Sequence, residues 1–172
     1  TGASTWQNAQ PTFRPTAVGS IALGHNGNLI NTHELAQMVG DLPSDEGELD
    51  IHSHQLEGST NDTGLVTALL AHHPDTTLEQ RALEVLPQLR GAFCFVWMDE
   101  DALYAARDPQ GIRPLVLGRL DRGWVVASED AALATIGASV VREVEPGEMI
   151  VIDHEGLRTH RFAEPERKGC VF

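Results

Sequence analysis

Cysteine, basic residues and long apolar runs are all scarce in this sequence, and each shortage excludes a class of protein. Only two cysteines occur among the 172 residues, Cys94 and Cys170. They stand far apart and Cys94 lies inside an apolar run, so no disulfide framework is expected and a reducing, cytoplasmic setting is. No uninterrupted apolar stretch approaches the roughly 20 residues that a membrane-spanning helix needs. Residues 1–10 offer neither a basic region nor an apolar one, so no membrane partner is expected. Lysine and arginine total 12 against 25 aspartates and glutamates, for a formal net charge of -13. A field of that sign repels polyanions, which makes nucleic acid a poor partner. The acids are scattered, as on a solvated surface, rather than gathered in one block.

The motifs of several chemistries are missing as well. There is no His-Glu-x-x-His pair, no cysteine cluster, no phosphate-cradling glycine loop and no Gly-x-Ser-x-Gly elbow. Among the eight histidines, His52 with His54, or His72 with His73, are metal ligands in principle. An HxH in an acidic loop without supporting ligands argues against a metal site.

What remains suits one domain, because 41% hydrophobic content is enough for a sizeable core. Gly2, Pro11, Pro15 and Gly19 break the first twenty residues into an irregular segment. Residues 20–23 form a strand candidate that stops at Gly24-His25-Asn26-Gly27-Asn28. Asn-Gly between apolar runs signals a tight turn, since both residues tolerate positive φ, and Leu29 and Ile30 then resume the apolar pattern. Thr32 is expected to cap a short helix through Leu35 and Met38 that Gly40 ends. Residues 41–61 read as a long loop. Asp62 opens a helix with Leu65, Leu69 and His72 on one face. Thr77 starts another with Leu78, Ala82, Val85, Leu86 and Leu89 inward, and the two helices should pack together.

From Gly91 onward the texture turns to β. Residues 92–98, 102–107, 115–120 and 124–128 pair up as two hairpins, and residues 129–136 form a short helix. Residues 140–144, 148–153 and 157–162 then make a meander turned at Pro146-Gly147 and His154-Glu155-Gly156. Helices first and antiparallel strands afterwards is an α+β order.

Three places suggest chemistry. The Gly24 to Asn28 segment is able to aim a backbone N–H and an amide side chain at one point, and two convergent donors make an oxyanion hole. An ordinary hairpin turn is the plainer reading of the same residues. Asp62 either caps its own helix or presents a carboxylate to a ligand ammonium group. Arg107-Asp108-Pro109-Gln110-Gly111-Ile112-Arg113-Pro114-Leu115 reads as architectural first and ligand-binding second, with a bidentate arginine–carboxylate pair locking the connection. Cys94, inside Ala92-Phe93-Cys94-Phe95-Val96, reads as an inert core thiol.

Taken in order, several segments resemble the class II, N-terminal-nucleophile glutamine amidotransferase domain of the amidophosphoribosyltransferase family, which opens purine synthesis. Its carriers are Thr1-Gly2-Ala3-Ser4 with Asn8-Ala9-Gln10-Pro11, Gly24-His25-Asn26-Gly27-Asn28-Leu29, Asp62-Thr63 and Arg90-Gly91-Ala92-Phe93. Arg107-Asp108-Pro109, Gly111-Ile112-Arg113-Pro114-Leu115, Ala127-Ser128-Glu129, Glu145-Pro146-Gly147-Glu148 and Lys168-Gly169-Cys170-Val171-Phe172 follow. The resemblance covers nearly the whole chain. Sister amidotransferases that make asparagine, glutamate or glucosamine phosphate share the Asn-Gly and Asp features, whereas the segments at 107–115 and 168–172 favour the purine enzyme.

The resemblance implies part of a four-layer αββα sandwich whose N-terminal strands and helix are missing. Residues 1–162 would be a partial glutaminase domain and 163–172 the start of the connection to a phosphoribosyltransferase domain. It further implies that an N-terminal cysteine attacks the amide of glutamine with its own α-amino group as base. Asn26 and Gly27 would form the oxyanion hole and Asp62 would hold the α-amino group. The family's cysteine and glutamine-gripping arginine lie upstream of the segment matching Thr1, so this chain by itself is expected to be silent and to associate with the missing segment or another copy. Gly64 stands where the family has an acid, and the stretch at 52–57 has no counterpart. Mg2+ belongs to the transferase domain. In some relatives a cysteine near Cys170 helps hold an iron–sulfur cluster, a role for which this chain offers no partner cysteines. Two other readings stand beside this one: a hydrolase using Thr1 as its own nucleophile, and a non-catalytic module that binds glutamine or serves assembly.

Overall fold

A computed structural model describes residues 9–16, 18–42, 62–72 and 75–166. The strands are β1 (Thr12–Pro15), β2 (Ser20–Leu29), β3 (Gly91–Met98), β4 (Leu103–Arg107), β5 (Val116–Leu120), β6 (Gly123–Ala127), β7 (Ser139–Glu143), β8 (Glu148–Asp153) and β9 (Gly156–Arg161). The helices are α1 (Thr32–Gly40), α2 (Asp62–Ala71), α3 (Leu78–Val85) and α4 (Asp130–Thr135). The described strands make two antiparallel sheets, one in the order β1-β2-β3-β4-β8-β9 and a smaller one in the order β6-β5-β7.

Alternation along β3 explains the layering. Phe93, Phe95 and Trp97 point to one face, where they join Leu65, Leu69 and Leu70 of α2 and Leu78, Ala82 and Val85 of α3. Cys94 points to the other face and meets Leu115, Leu117, Val144 and Ile150 between the two sheets. Beyond the smaller sheet, Gly118 leaves room for Leu133 of α4, whose side chain comes within 2.8 Å of where a β-carbon would lie. Helices, sheet, sheet and helix are therefore stacked as an αββα sandwich with a core on each side of the larger sheet. Each fully buried leucine in these cores contributes roughly 1.5–3 kcal/mol relative to exposure.

Most elements fall where the sequence places them. The Thr77 start of α3 is a full capping box, Thr77 accepting from the Gln80 backbone N–H while the Gln80 side chain accepts from that of Thr77. Both expected hairpins form, β3 with β4 and β5 with β6. Helices α2 and α3 pack together, and the Arg81 guanidinium donates to the Leu69 carbonyl across them at 2.8 Å.

Four expectations need correction. Gly24-His25-Asn26-Gly27-Asn28 is not a turn: β2 runs straight through it, with Asn26 opposite Cys94 and Gly27 opposite Phe93. Ten residues pair there, so the tolerance of Asn-Gly for a turn is overridden by the ladder. Thr32 is not the cap of α1. Asn31 takes that place and spends its side chain on the far connection instead, donating to the Gln88 carbonyl and accepting from the Arg90 N–H, both at 3.0 Å. Helix α2 buries far more than one face, since Val66, Thr67, Ala68 and Leu70 are buried with Leu65 and Leu69. It is flanked by β1, β2, α1 and α3, and its buried Thr67 hydroxyl donates to the Thr63 carbonyl at 2.8 Å and meets the Thr12 hydroxyl of β1 at 2.5 Å. Finally, β7 does not join β8 and β9 in a meander. It pairs with β5 in the smaller sheet, and the chain changes sheets between Glu143 and Glu148.

Candidate functional site

Strand β2 carries two of the candidate residues and α2 the third. Ile21, Leu23 and Leu29 face the helices, so the two-residue period puts His25 and Gly27 on that side and Asn26 and Asn28 on the other. Asn26 and Asn28 are exposed. Gly27 has φ +153, and a β-carbon there would run into the carbonyl oxygen of Ala92 and lie 2.9 Å from His25 Nε2. Only glycine fits, because the neighbouring strand and the imidazole occupy the volume a side chain would need.

Asp62 opens α2 and is 4% exposed. Its Oδ2 accepts the Leu29 N–H at 3.0 Å, and its Oδ1 accepts the Thr63 N–H at 3.0 Å. His25 Nδ1 lies 3.5 Å from the same Oδ2. Burial alone would raise the carboxyl's pKa, but the His25 and Leu29 hydrogen bonds outweigh it and hold the group down at about 2. The carboxylate is thus ionised at neutral pH and tied to the strand two residues beyond Gly27. Of the two roles weighed for Asp62, its bonds reach across to β2 as well as along its own helix start.

A polar shell supports this arrangement. The Gln10 side chain accepts the His25 backbone N–H at 2.6 Å and reaches Thr63 Oγ1 at 3.5 Å. Thr63 Oγ1 is in turn 3.3 Å from His25 Nδ1. The sequence by itself gives His25 and Gln10 no role. Read as a strand rather than a turn, residues 21, 23, 25 and 29 fall on one buried face, which would have singled out His25 as an inward polar side chain.

The Arg107 to Leu115 segment is architectural, as expected, though its bonding differs from expectation. Among the described residues Arg107 makes no bidentate carboxylate pair. Its guanidinium donates to the carbonyls of Arg113 at 2.8 Å, Val144 at 2.8 Å and Gly111 at 3.1 Å, and to Glu143 at 3.1 Å. Asp108 is wholly buried and accepts the N–H groups of Phe93 and Gln110. The bidentate pair belongs instead to Arg142 and Glu148, with two 2.7 Å bonds. Since Gly147 N–H donates to the carbonyls of Arg107 and Asp108, the two segments form one lock at the point where the chain changes sheets. Cys94 is buried, its Sγ 3.4 Å from the Arg113 carbonyl, and desolvation pushes its thiol up to about 12. It is an inert core thiol. Thr1 to Asn8, His52, His54, His73 and Lys168 to Phe172 lie outside the described residues, and so does most of the loop expected at 41–61.

Comparison with known proteins follows the same outline. The family model of the glutamine amidotransferase domain matches residues 3–135. The amidophosphoribosyltransferase of Mycobacterium leprae is 58% identical over the whole chain, which covers 30% of that protein. That of Bacillus subtilis is 37% identical over 94% of the chain and 32% of its own length. Among solved structures, the glutamine phosphoribosylpyrophosphate amidotransferase from B. subtilis, complexed with ADP and GMP, superposes with a TM-score of 0.82 at 35% identity. It covers 99% of this chain, which spans 35% of it. The chain therefore spans about a third of the length of the relatives it matches. Its two sheets between helices are the sandwich of that solved enzyme's glutamine domain, and the chain belongs to the glutamine amidotransferase domain family, in the branch carried by amidophosphoribosyltransferases.

Proposed function

We propose that this chain is the part of an amidophosphoribosyltransferase that turns glutamine into glutamate and ammonia, the ammonia serving the synthesis of 5-phosphoribosylamine in purine biosynthesis. Asn26 Nδ2 and the Gly27 N–H form the oxyanion hole, and Asp62 holds the α-ammonium of glutamine. A thiolate attacks the amide carbon and the C=O electrons move onto oxygen, where these two donors stabilise the charge. The base that took the thiol's proton returns it as the tetrahedral intermediate collapses and expels ammonia, and water then hydrolyses the thioester to glutamate and the free thiol.

The observation that carries this reading is the bond from Leu29 N–H to Asp62, which sets an ionised carboxylate against the strand bearing Asn26 and Gly27. The attacking thiolate is not Cys94, whose buried thiol is pushed up to about 12. If the nucleophile is the N-terminal cysteine that the family resemblance implies, residues 1–172 alone should release no glutamate. Phe162 stacks on Phe93 with ring centroids 6.3 Å apart, inside the domain taken to span residues 1–162, and 163–172 is read as the start of a connection to the transferase domain. Mg2+ would act in that domain, and cytoplasmic location and self-association complete the reading.

The test is glutamate release from glutamine by residues 1–172 beside the full-length protein. Activity confined to the full-length protein, reduced about 10²–10³-fold in kcat by Asn26→Ala and raised in KM by Asp62→Asn, is the expected result. Equal activity in the shorter chain, lost on Thr1→Ala, would make Thr1 the nucleophile and overturn the proposal.

A further inference from the structure

His25 is buried between the two halves of the candidate site. Its side chain is 2% exposed, and its ring packs on Phe95 with centroids 4.5 Å apart. Nδ1 faces Asp62 Oδ2 at 3.5 Å and Thr63 Oγ1 at 3.3 Å. Among the described residues Nε2 has no hydrogen-bond partner although it is buried, and it lies 2.9 Å from where a β-carbon of Gly27 would stand. A buried polar atom without a partner costs stability, so a sequence that keeps one at this spot invites a functional explanation. A leucine in place of His25 would fill the space at less cost, but it could not address Asp62.

We infer that His25 is a positioning residue, its Nδ1 orienting the Asp62 carboxylate and its Nε2 edge bracing Gly27, so that the substrate-amine site and the oxyanion hole are held in one register. The inference rests on the function proposed above. The two edges of the ring do separate work. Nδ1 acts on the group that holds glutamine in ground state and transition state alike, so its loss is felt in KM. The Nε2 edge acts on a donor whose bond strengthens only as the oxyanion forms, so its loss is felt in kcat. Gln10 and Thr63 keep the ring from turning, since one fixes the His25 backbone and the other meets Nδ1.

Two substitutions divide the ring. His25→Asn leaves an amide near the position of Nδ1 and removes the Nε2 edge, whereas His25→Gln extends an amide toward Nε2 and gives up the contact at Nδ1. In the full-length protein, His25→Asn is expected to keep the KM for glutamine within about twofold while kcat falls about tenfold, and His25→Gln to do the reverse. Nitrogen NMR of the wild-type protein supplies a second readout that needs no variant to fold: the ring should carry its proton on Nδ1, and that signal should move when glutamate is added. Parallel losses in both variants with KM unchanged, or a wild-type ring protonated on Nε2 alone, would overturn the inference. A wild-type protein that does not hydrolyse glutamine would instead overturn the proposed function itself.

Discussion

Replacing Gly27 by alanine, with Gly24→Ala as its control on the same strand, separates a glycine required by the fold from one that is merely tolerated. At Gly27 the backbone sits at φ +153, and the new methyl would meet the Ala92 carbonyl oxygen of the paired strand and, at 2.9 Å, His25 Nε2. Holding a non-glycine residue in a sparsely populated backbone region costs about 1–3 kcal/mol. Displacing a paired carbonyl and a buried ring adds about 1–3 kcal/mol as an overpacking term. The expected loss is therefore about 2–6 kcal/mol. At Gly24 the nearest atoms to a new β-carbon are Val96 O at 3.8 Å and Gln10 Oε1 at 3.9 Å, ordinary contact distances. There, alanine should cost nothing, or stabilise by about 0.4–1 kcal/mol through lost freedom of the unfolded chain. Urea denaturation followed by tryptophan fluorescence reads both. If the two variants unfold within about 1 kcal/mol of each other, the claim that β2 needs glycine at 27 for steric reasons is wrong.

Three further outcomes follow from the same geometry. Arg107→Ala should cost about 3–5 kcal/mol, since it strips donors from the carbonyls of Gly111, Arg113 and Val144, and Arg107→Lys about half as much because an ammonium cannot span the fork; equal denaturation midpoints for the two would contradict the lock. Asp62 titrates at about 2 in the folded chain against an ordinary 3.8, so the folded state binds fewer protons between those values. Its contribution is complete above pH 4 and is lost as pH falls toward 2, by at most about 2 kcal/mol after allowance for solvent screening; wild type and Asp62→Asn losing stability in parallel through that window would refute it. Cys94, pushed up to about 12 and buried, should resist a thiol reagent at pH 8 in a Cys170→Ser background until the chain is unfolded; rapid labelling under native conditions would count against its burial.

What the sequence made legible, and what it hid, divides along the range of the interactions. Helix α3 was readable because its signals are local: Thr77 and Gln80 form their capping box three residues apart, and Leu78, Ala82 and Val85 repeat at helical spacing. Hairpins were readable for the same reason. The destination of β7 was not, because nothing between Glu143 and Glu148 reveals that Arg107, far upstream, holds the Val144 carbonyl and draws the chain into the other sheet. Asn31 was missed as a cap because its partners, Gln88 and Arg90, are nearly sixty residues away. The site shows the same division within a single dipeptide. Asn26 and Gly27 read as a turn in the sequence, since glycine's freedom is equally useful for reversing a chain and for letting a neighbouring strand approach. Only the pairing partner decides between them. With Phe93 opposite Gly27 and the Ala92 carbonyl against its α-carbon, the chain runs on as a strand. That alternation then carries His25 inward to Asp62 and turns Asn26 out to the exposed face.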